Sequence, residues 1–225
     1  MKRYMWFSVA VGALAFASTA MTAEPVPASP PATAAAVTLA QAPANPAGPR
    51  QEEGGMAIGK PDAPVTIIEY ASLTCPHCAT FSEQTVPRLK AEYVEKGLVR
   101  FVFRDFPLDR VALTGALLPH CAGPERYFGF LDVLFRQQMA WARAADPVKA
   151  LAALARQGGM GQEAFDACLK NQEVLNYVLA ASLKGEKEHG VHSTPTLVIN
   201  GKVYEGALSF EELDKILRPL VAGKS

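Results

Sequence analysis

From position 56 onward the apolar residues fall into short alternating runs and longer helical stripes, in an order that predicts a mixed α/β domain. Val65 to Tyr70 is a strand-like run bounded by Pro64. From Ala79 to Lys96 the apolar residues Phe81, Val86, Leu89 and Tyr93 recur at helical spacing. Pro87 should kink that helix, and Gly97 is a natural stop. Leu98 to Phe103, rich in Val and Phe, predicts a strand buried on both faces. Asp109 to about Gly190 then reads as helix throughout. Asp146-Pro147 offers an N-cap with proline at the first helical position, Gly158-Gly159 a stop, and Gly190 a C-terminal stop. Thr196 to Ile199 and Lys202 to Glu205 flank Asn200-Gly201, a hairpin signal because both residues tolerate positive φ. Ser209 with Glu212 is a capping box for a last helix running to about Leu217. The predicted order is strand, helix, strand, helical block, hairpin, helix.

The N-terminus changes the setting of this domain. Lys2 and Arg3, an apolar run from Trp6 to Ala17, and the small residues Ser18-Thr19-Ala20 form a secretory signal pattern, expected over 1–23. An uncleaved anchor is the rival reading, but the run is short for a membrane span. Residues 24–55, with Pro25, Pro27, Pro30, Pro31, Pro43, Pro46 and Pro49 among Ala and Thr, read as a semi-extended linker. The domain proper is then expected over 56–225, with the helical block inserted at about 109–190. The 22 basic and 22 acidic side chains leave the chain near neutral, so no basic stripe suggests nucleic acid. Export places the cysteines where disulfides form and persist.

The candidate chemistry is Cys75-Pro76-His77-Cys78, set between the first strand and the helix that follows. Unpaired N–H groups at a helix N-terminus favour negative charge, which lowers a thiol's pKa and exposes the reactive thiolate. An imidazole at His77 can add to that stabilisation, which makes the disulfide a stronger oxidant. Zinc binding is the first alternative. Its missing half would have to come from Cys121, Cys168 or scattered histidines, none at ligand spacing. A structural disulfide is the second, though so short a ring constrains little of the unfolded chain.

That motif, the element order, and Ser193-Thr194-Pro195 just before the hairpin make the chain resemble the DsbA family of periplasmic thiol–disulfide oxidoreductases. The resemblance covers about 56–220. It implies a thioredoxin fold with an inserted all-helical subdomain. It implies that Cys75 attacks, that Cys78 resolves, and that Pro195 is a cis-proline facing the active site. Glu69 stands where the family carries a buried acid, able to relay the proton of Cys78; the plain alternative is an ordinary strand-end carboxylate. Thr194 differs from the valine of the best-known oxidases and is similar to the residue in periplasmic isomerases, which bears on the direction of the reaction. Cys121 and Cys168, both in the helical block, are expected as a structural disulfide, with a second redox pair as the alternative. His189 and His192 line the groove or are solvated helix-end groups. His120 has no expected role beyond surface or helix packing.

The expected function is donation of the Cys75–Cys78 disulfide to reduced exported proteins, followed by reoxidation by a DsbB-type, quinone-linked membrane oxidase. No bound cofactor is needed, because the cysteines are the redox centre. A monomer is expected, since the linker lacks heptads. The alternatives are a disulfide isomerase or reductase on the same fold, and a soft-metal module using Cys75, His77 and Cys78.

Overall fold

In a computed structural model, which describes residues 49–222, a six-stranded sheet carries the helices. Its strands are β1 (Arg50–Glu52), β2 (Gly55–Ile58), β3 (Val65–Ala71), β4 (Val99–Asp105), β5 (Thr196–Ile199) and β6 (Lys202–Glu205), in the order β1-β2-β4-β3-β5-β6. β3 and β4 pair in parallel, from Val65 opposite Val99 to Ala71 opposite Asp105. The other neighbours pair antiparallel. The interior strands β3 and β4 are covered on both faces, which is why they read as near-continuous apolar runs.

The helix between β3 and β4 starts at Pro76, so the cysteine motif opens it as expected. It runs as α1 (Pro76–Thr80), a π-helical turn (Phe81–Thr85), α2 (Val86–Leu89) and a second π-helical turn (Lys90–Val94). The π-helical turns lie on either side of the segment that holds Pro87, where a kink is expected. Val86 N–H reaches back to the Phe81 carbonyl, so the turn before the proline carries an extra residue. After β4 come α3 (Arg110–Ala122), α4 (Pro124–Arg136), α5 (Gln138–Ala142), α6 (Pro147–Gln157), α7 (Gln162–Leu169) and α8 (Gln172–His189). Asp109, Asp146 and Asn171 cap α3, α6 and α8 with their side chains. The last helix, α9 (Phe210–Val221), opens on the Ser209–Glu212 capping box. It runs past the expected Leu217, carrying Pro219 in its final turn.

The predicted leader and most of the predicted linker lie outside the described residues. The expected linker end at Gly55 does not match the structure, because β1 and β2 already belong to the sheet. These strands are short, and β1 is polar, so neither has a readable periodicity. Distant groups hold them. The Tyr177 hydroxyl on α8 lies within hydrogen-bond reach of the carbonyls of Glu52 and Gly55 and can donate to one of them, and Arg100 on β4 pairs with Glu52.

The helical block packs on the sheet through aromatic rings. Phe103 of β4 meets Tyr127 and Phe135 of α4, with centroids 6.3 and 6.2 Å apart. Each such fully buried apolar side chain contributes about 1.5–3 kcal/mol. Tyr70, at the end of β3, is fully buried in a second cluster with Phe106, Val191 and Val198. There Gly185 of α8 lies so close that an added Cβ would sit 2.5 Å from the Tyr70 ring.

Candidate active site

β3 carries the chain to Ala71, and a turn over 72–74 delivers Cys75 to the N-cap of α1. Cys75 N–H donates to the Ser72 carbonyl at 3.1 Å, and its own carbonyl accepts from Ala79 N–H at 3.2 Å. Cys75 has an extended backbone (φ −80°, ψ 119°), and Pro76 occupies the first turn, where a missing N–H costs nothing. Both thiols are free. Cys75 is 7% exposed and Cys78 is fully buried.

The two cysteines are driven in opposite directions. The Cys75 thiol is held down to about 5, most strongly by the neighbouring Cys78 thiol. Burial pushes the other way, and the Thr194 hydroxyl and the backbone N–H groups of Cys78 and His77 add to the lowering. Burial pushes the Cys78 thiol well above the ordinary range, reinforced by Cys75 and by Glu69. His77 acts through its backbone N–H while the residue itself is exposed to solvent, where a ring is better hydrated.

The Thr194–Pro195 peptide is cis, and Pro195 is buried. The Cys75 sulfur lies 3.3 Å from the Thr194 carbonyl oxygen, to which the neutral thiol can donate. The thiolate has no proton to give. It can instead accept from the Thr194 hydroxyl, which is buried without another partner. The turn from β3 and the residues before β5 thus face one another across the sulfur.

Glu69 lies behind the pair on β3 and is 1% exposed. Burial raises its carboxyl to about 8, with a smaller contribution from Cys75. Its Oε1 has no hydrogen-bond partner, and Glu69 is among the residues lining a cavity of about 390 Å³ with Phe101, Phe103 and Phe135.

The remaining singled-out residues are elsewhere. Cys121 and Cys168 are joined by a disulfide linking α3 to α7. His189 packs on the Tyr70 ring, centroids 6.0 Å apart. His192 is exposed, with Nδ1 2.7 Å from the Gly190 carbonyl and Nε2 3.8 Å from Glu205. His120 departs from the expectation. Its Nε2 is 2.7 Å from Asp105 Oδ2 in a buried pair flanked by Tyr127 and Tyr177. Residues the sequence reading missed also touch the active-site turn. The Thr74 hydroxyl donates to Asp109 at 2.7 Å, and Gln138 Nε2 donates to the carbonyls of Leu73 and Cys75, both at 2.9 Å. Asp109 reads in the sequence as the start of the helical block, but its bond to Thr74 and the reach of Gln138 have no local signal.

Comparison with known proteins gives consistent likenesses. The sequence model of the thioredoxin family matches residues 51–218. A Rickettsia bellii protein that carries the provisional name protein-disulfide oxidoreductase is 28% identical over 151 residues, covering 67% of this chain and 58% of that protein. The chain therefore spans little more than half the length of such curated relatives. Among solved structures, Wolbachia pipientis alpha-DsbA1 superposes with a TM-score of 0.70 at 26% identity, covering 76% of this chain and 92% of that one. A protein-disulfide isomerase from Novosphingobium aromaticivorans superposes with a TM-score of 0.65 at 25% identity, covering 76% and 99%.

Proposed function

This chain belongs to the thioredoxin family, and from that membership we propose that it is a protein thiol–disulfide oxidoreductase that donates its Cys75–Cys78 disulfide to reduced exported proteins. The observation that carries this reading is the split between the thiols, Cys75 held at about 5 and Cys78 driven up by burial. A stabilised Cys75 thiolate favours the reduced pair, so the disulfide is a strong oxidant. In the forward reaction a substrate thiolate attacks the Cys75 sulfur. The Cys75–Cys78 bond breaks, and the electron pair goes to Cys78. Glu69, carrying its proton up to about pH 8, hands that proton to the Cys78 thiolate. The substrate's second thiolate then attacks its own sulfur in the mixed disulfide, and Cys75 leaves as a stable thiolate. The substrate is oxidised by two electrons and the cysteine pair reduced by two. Reoxidation falls to a DsbB-type, quinone-linked membrane oxidase.

The leader-like sequence over 1–23 and the Cys121–Cys168 disulfide support a periplasmic setting. Among the described residues no helix is long and apolar enough to cross a membrane, and no three His, Cys, Asp or Glu side chains gather to hold a metal ion. A second reading, isomerase or reductase, draws on the polar Thr194 beside the sulfur and on the likeness to the Novosphingobium isomerase.

Equilibration with glutathione separates the two. A potential near about −120 mV, with rapid oxidation of a reduced secreted protein, is expected of the donor. A potential of about −270 mV, with the pair isolated reduced from cells, would reassign the chain to reduction, and one of about −180 mV with the pair isolated reduced would reassign it to isomerisation.

A further inference from the structure

The helical block does more than cover the sheet, because one of its side chains reaches the backbone that holds Cys75. Gln138 begins α5 and is 4% exposed, an unusual burial for a glutamine. Its Nε2 donates to the Leu73 carbonyl and to the Cys75 carbonyl, both at 2.9 Å, across more than sixty residues of sequence. A primary amide nitrogen has two N–H donors, and both are spent here. Carbonyls two residues apart meet on one nitrogen only if the turn between them is bent, so the amide clamps the turn at 73–75.

A neighbour on the same helix is held independently of the turn at 73–75. Trp141, one turn along α5, donates from Nε1 to the Leu134 carbonyl at 2.8 Å. Its ring packs closely on Gly115, where an added Cβ would be 3.1 Å from the indole.

We propose that Gln138 is a positioning residue of the exchange reaction: by tying down the carbonyls of Leu73 and Cys75, it keeps their negative ends turned toward α5 and leaves the N–H groups of His77 and Cys78 facing the Cys75 sulfur. Loss of the clamp leaves the buried Leu73 carbonyl short of a donor and the Cys75 carbonyl held by the Ala79 N–H alone. Either effect disfavours negative charge on the sulfur. The thiolate is present only in the reduced state, so the clamp favours the reduced pair and makes the disulfide a stronger oxidant. The helical insertion thereby sets the potential of a site carried by the sheet.

The test is the Gln138→Met variant, similar in length and lacking donors, in the full chain. The Cys75 thiolate, followed by its ultraviolet absorbance, should titrate about one pH unit higher. The equilibrium with glutathione should move about tenfold toward the disulfide, or about 30 mV. Trp141→Phe is the control for simple loosening. It should lower the melting temperature without moving the Cys75 titration. If Gln138→Met does not fold, Gln138→Glu, with at most one O–H donor, should raise the midpoint in the same direction. A folded Gln138 variant with the parent's midpoint and exchange constant would overturn the proposal, as would an equal rise in Trp141→Phe. The proposal rests on Cys75–Cys78 being the exchange pair. A parent protein that fails to oxidise thiols would refute that reading, while titration of reduced Cys75 would still decide the role of Gln138.

Discussion

Thr194→Val isolates one hydrogen bond beside the reactive sulfur. Valine has nearly the shape of threonine, so the change opens no cavity and removes only the hydroxyl. That hydroxyl is buried and has no hydrogen-bond partner except the one a charged Cys75 sulfur offers. Two effects follow with the same sign. The thiolate loses a bond to a charged acceptor, worth about 1.5–3 kcal/mol. The disulfide form no longer buries an unsatisfied hydroxyl, itself a cost of about 1–3 kcal/mol. The hydroxyl is only one of several groups on the sulfur, with the Cys78 thiol the largest. The lower end is therefore appropriate, about 1.5 kcal/mol. At about 1.4 kcal/mol per pKa unit, the Cys75 midpoint should rise from about 5 to about 6. The same free energy moves the potential about 30 mV toward a weaker oxidant. Thiolate absorbance against pH reads the first quantity, and equilibration with glutathione reads the second. A midpoint still near the parent value, with an unmoved potential, would mean that Thr194 does not donate to the sulfur, and the account of the depressed thiol would then rest on Cys78 and the α1 backbone alone.

Glu69 keeps its proton in the fold up to about pH 8, whereas the unfolded chain releases it near 4.5. Between those values the unfolded state binds fewer protons, so this group's contribution to stability falls as pH rises. In Glu69→Gln the reduced protein should gain stability relative to the parent between pH 5 and pH 8, read by denaturant unfolding at both; identical pH dependence would count against a protonated Glu69. Replacing Cys121 and Cys168 together by alanine should cost about 4 kcal/mol, from a loop closed across a separation of 47 residues, with Cys75 still titrating near 5. Loss of thiol exchange in that folded variant would instead indicate a second redox pair. Gly185→Ala should lower stability by about 1–3 kcal/mol in thermal unfolding, despite alanine's better helix propensity. The new methyl would meet a Tyr70 ring whose hydroxyl is held by Arg104 at 2.7 Å, and an unchanged melting temperature would show that this ring can give way.

What the sequence alone determined about this protein is what residues within a few positions of one another decide. The junction of strand and helix at Cys75, the Asn200-Gly201 turn, the Asp146 cap and the Ser209–Glu212 box all follow from local backbone rules, and each appears where those rules put it. The cysteine pair is legible for the same reason, since its chemistry depends on a helix start that it occupies itself. Tertiary structure alone decided the features whose partners lie far along the chain. β1 and β2 have too few residues to show a period, and they exist as strands because Tyr177 and Arg100 hold them. His120 carries no sign of Asp105, which β4 brings beneath α3. Gln138 reads as one more polar residue at a helix start until folding lays α5 against the turn at Cys75. Burial is the physical reason. A local pattern states which groups are present, but the protonation of Glu69 and the inertness of Cys78 depend on how much water and which charges the assembled fold leaves beside them.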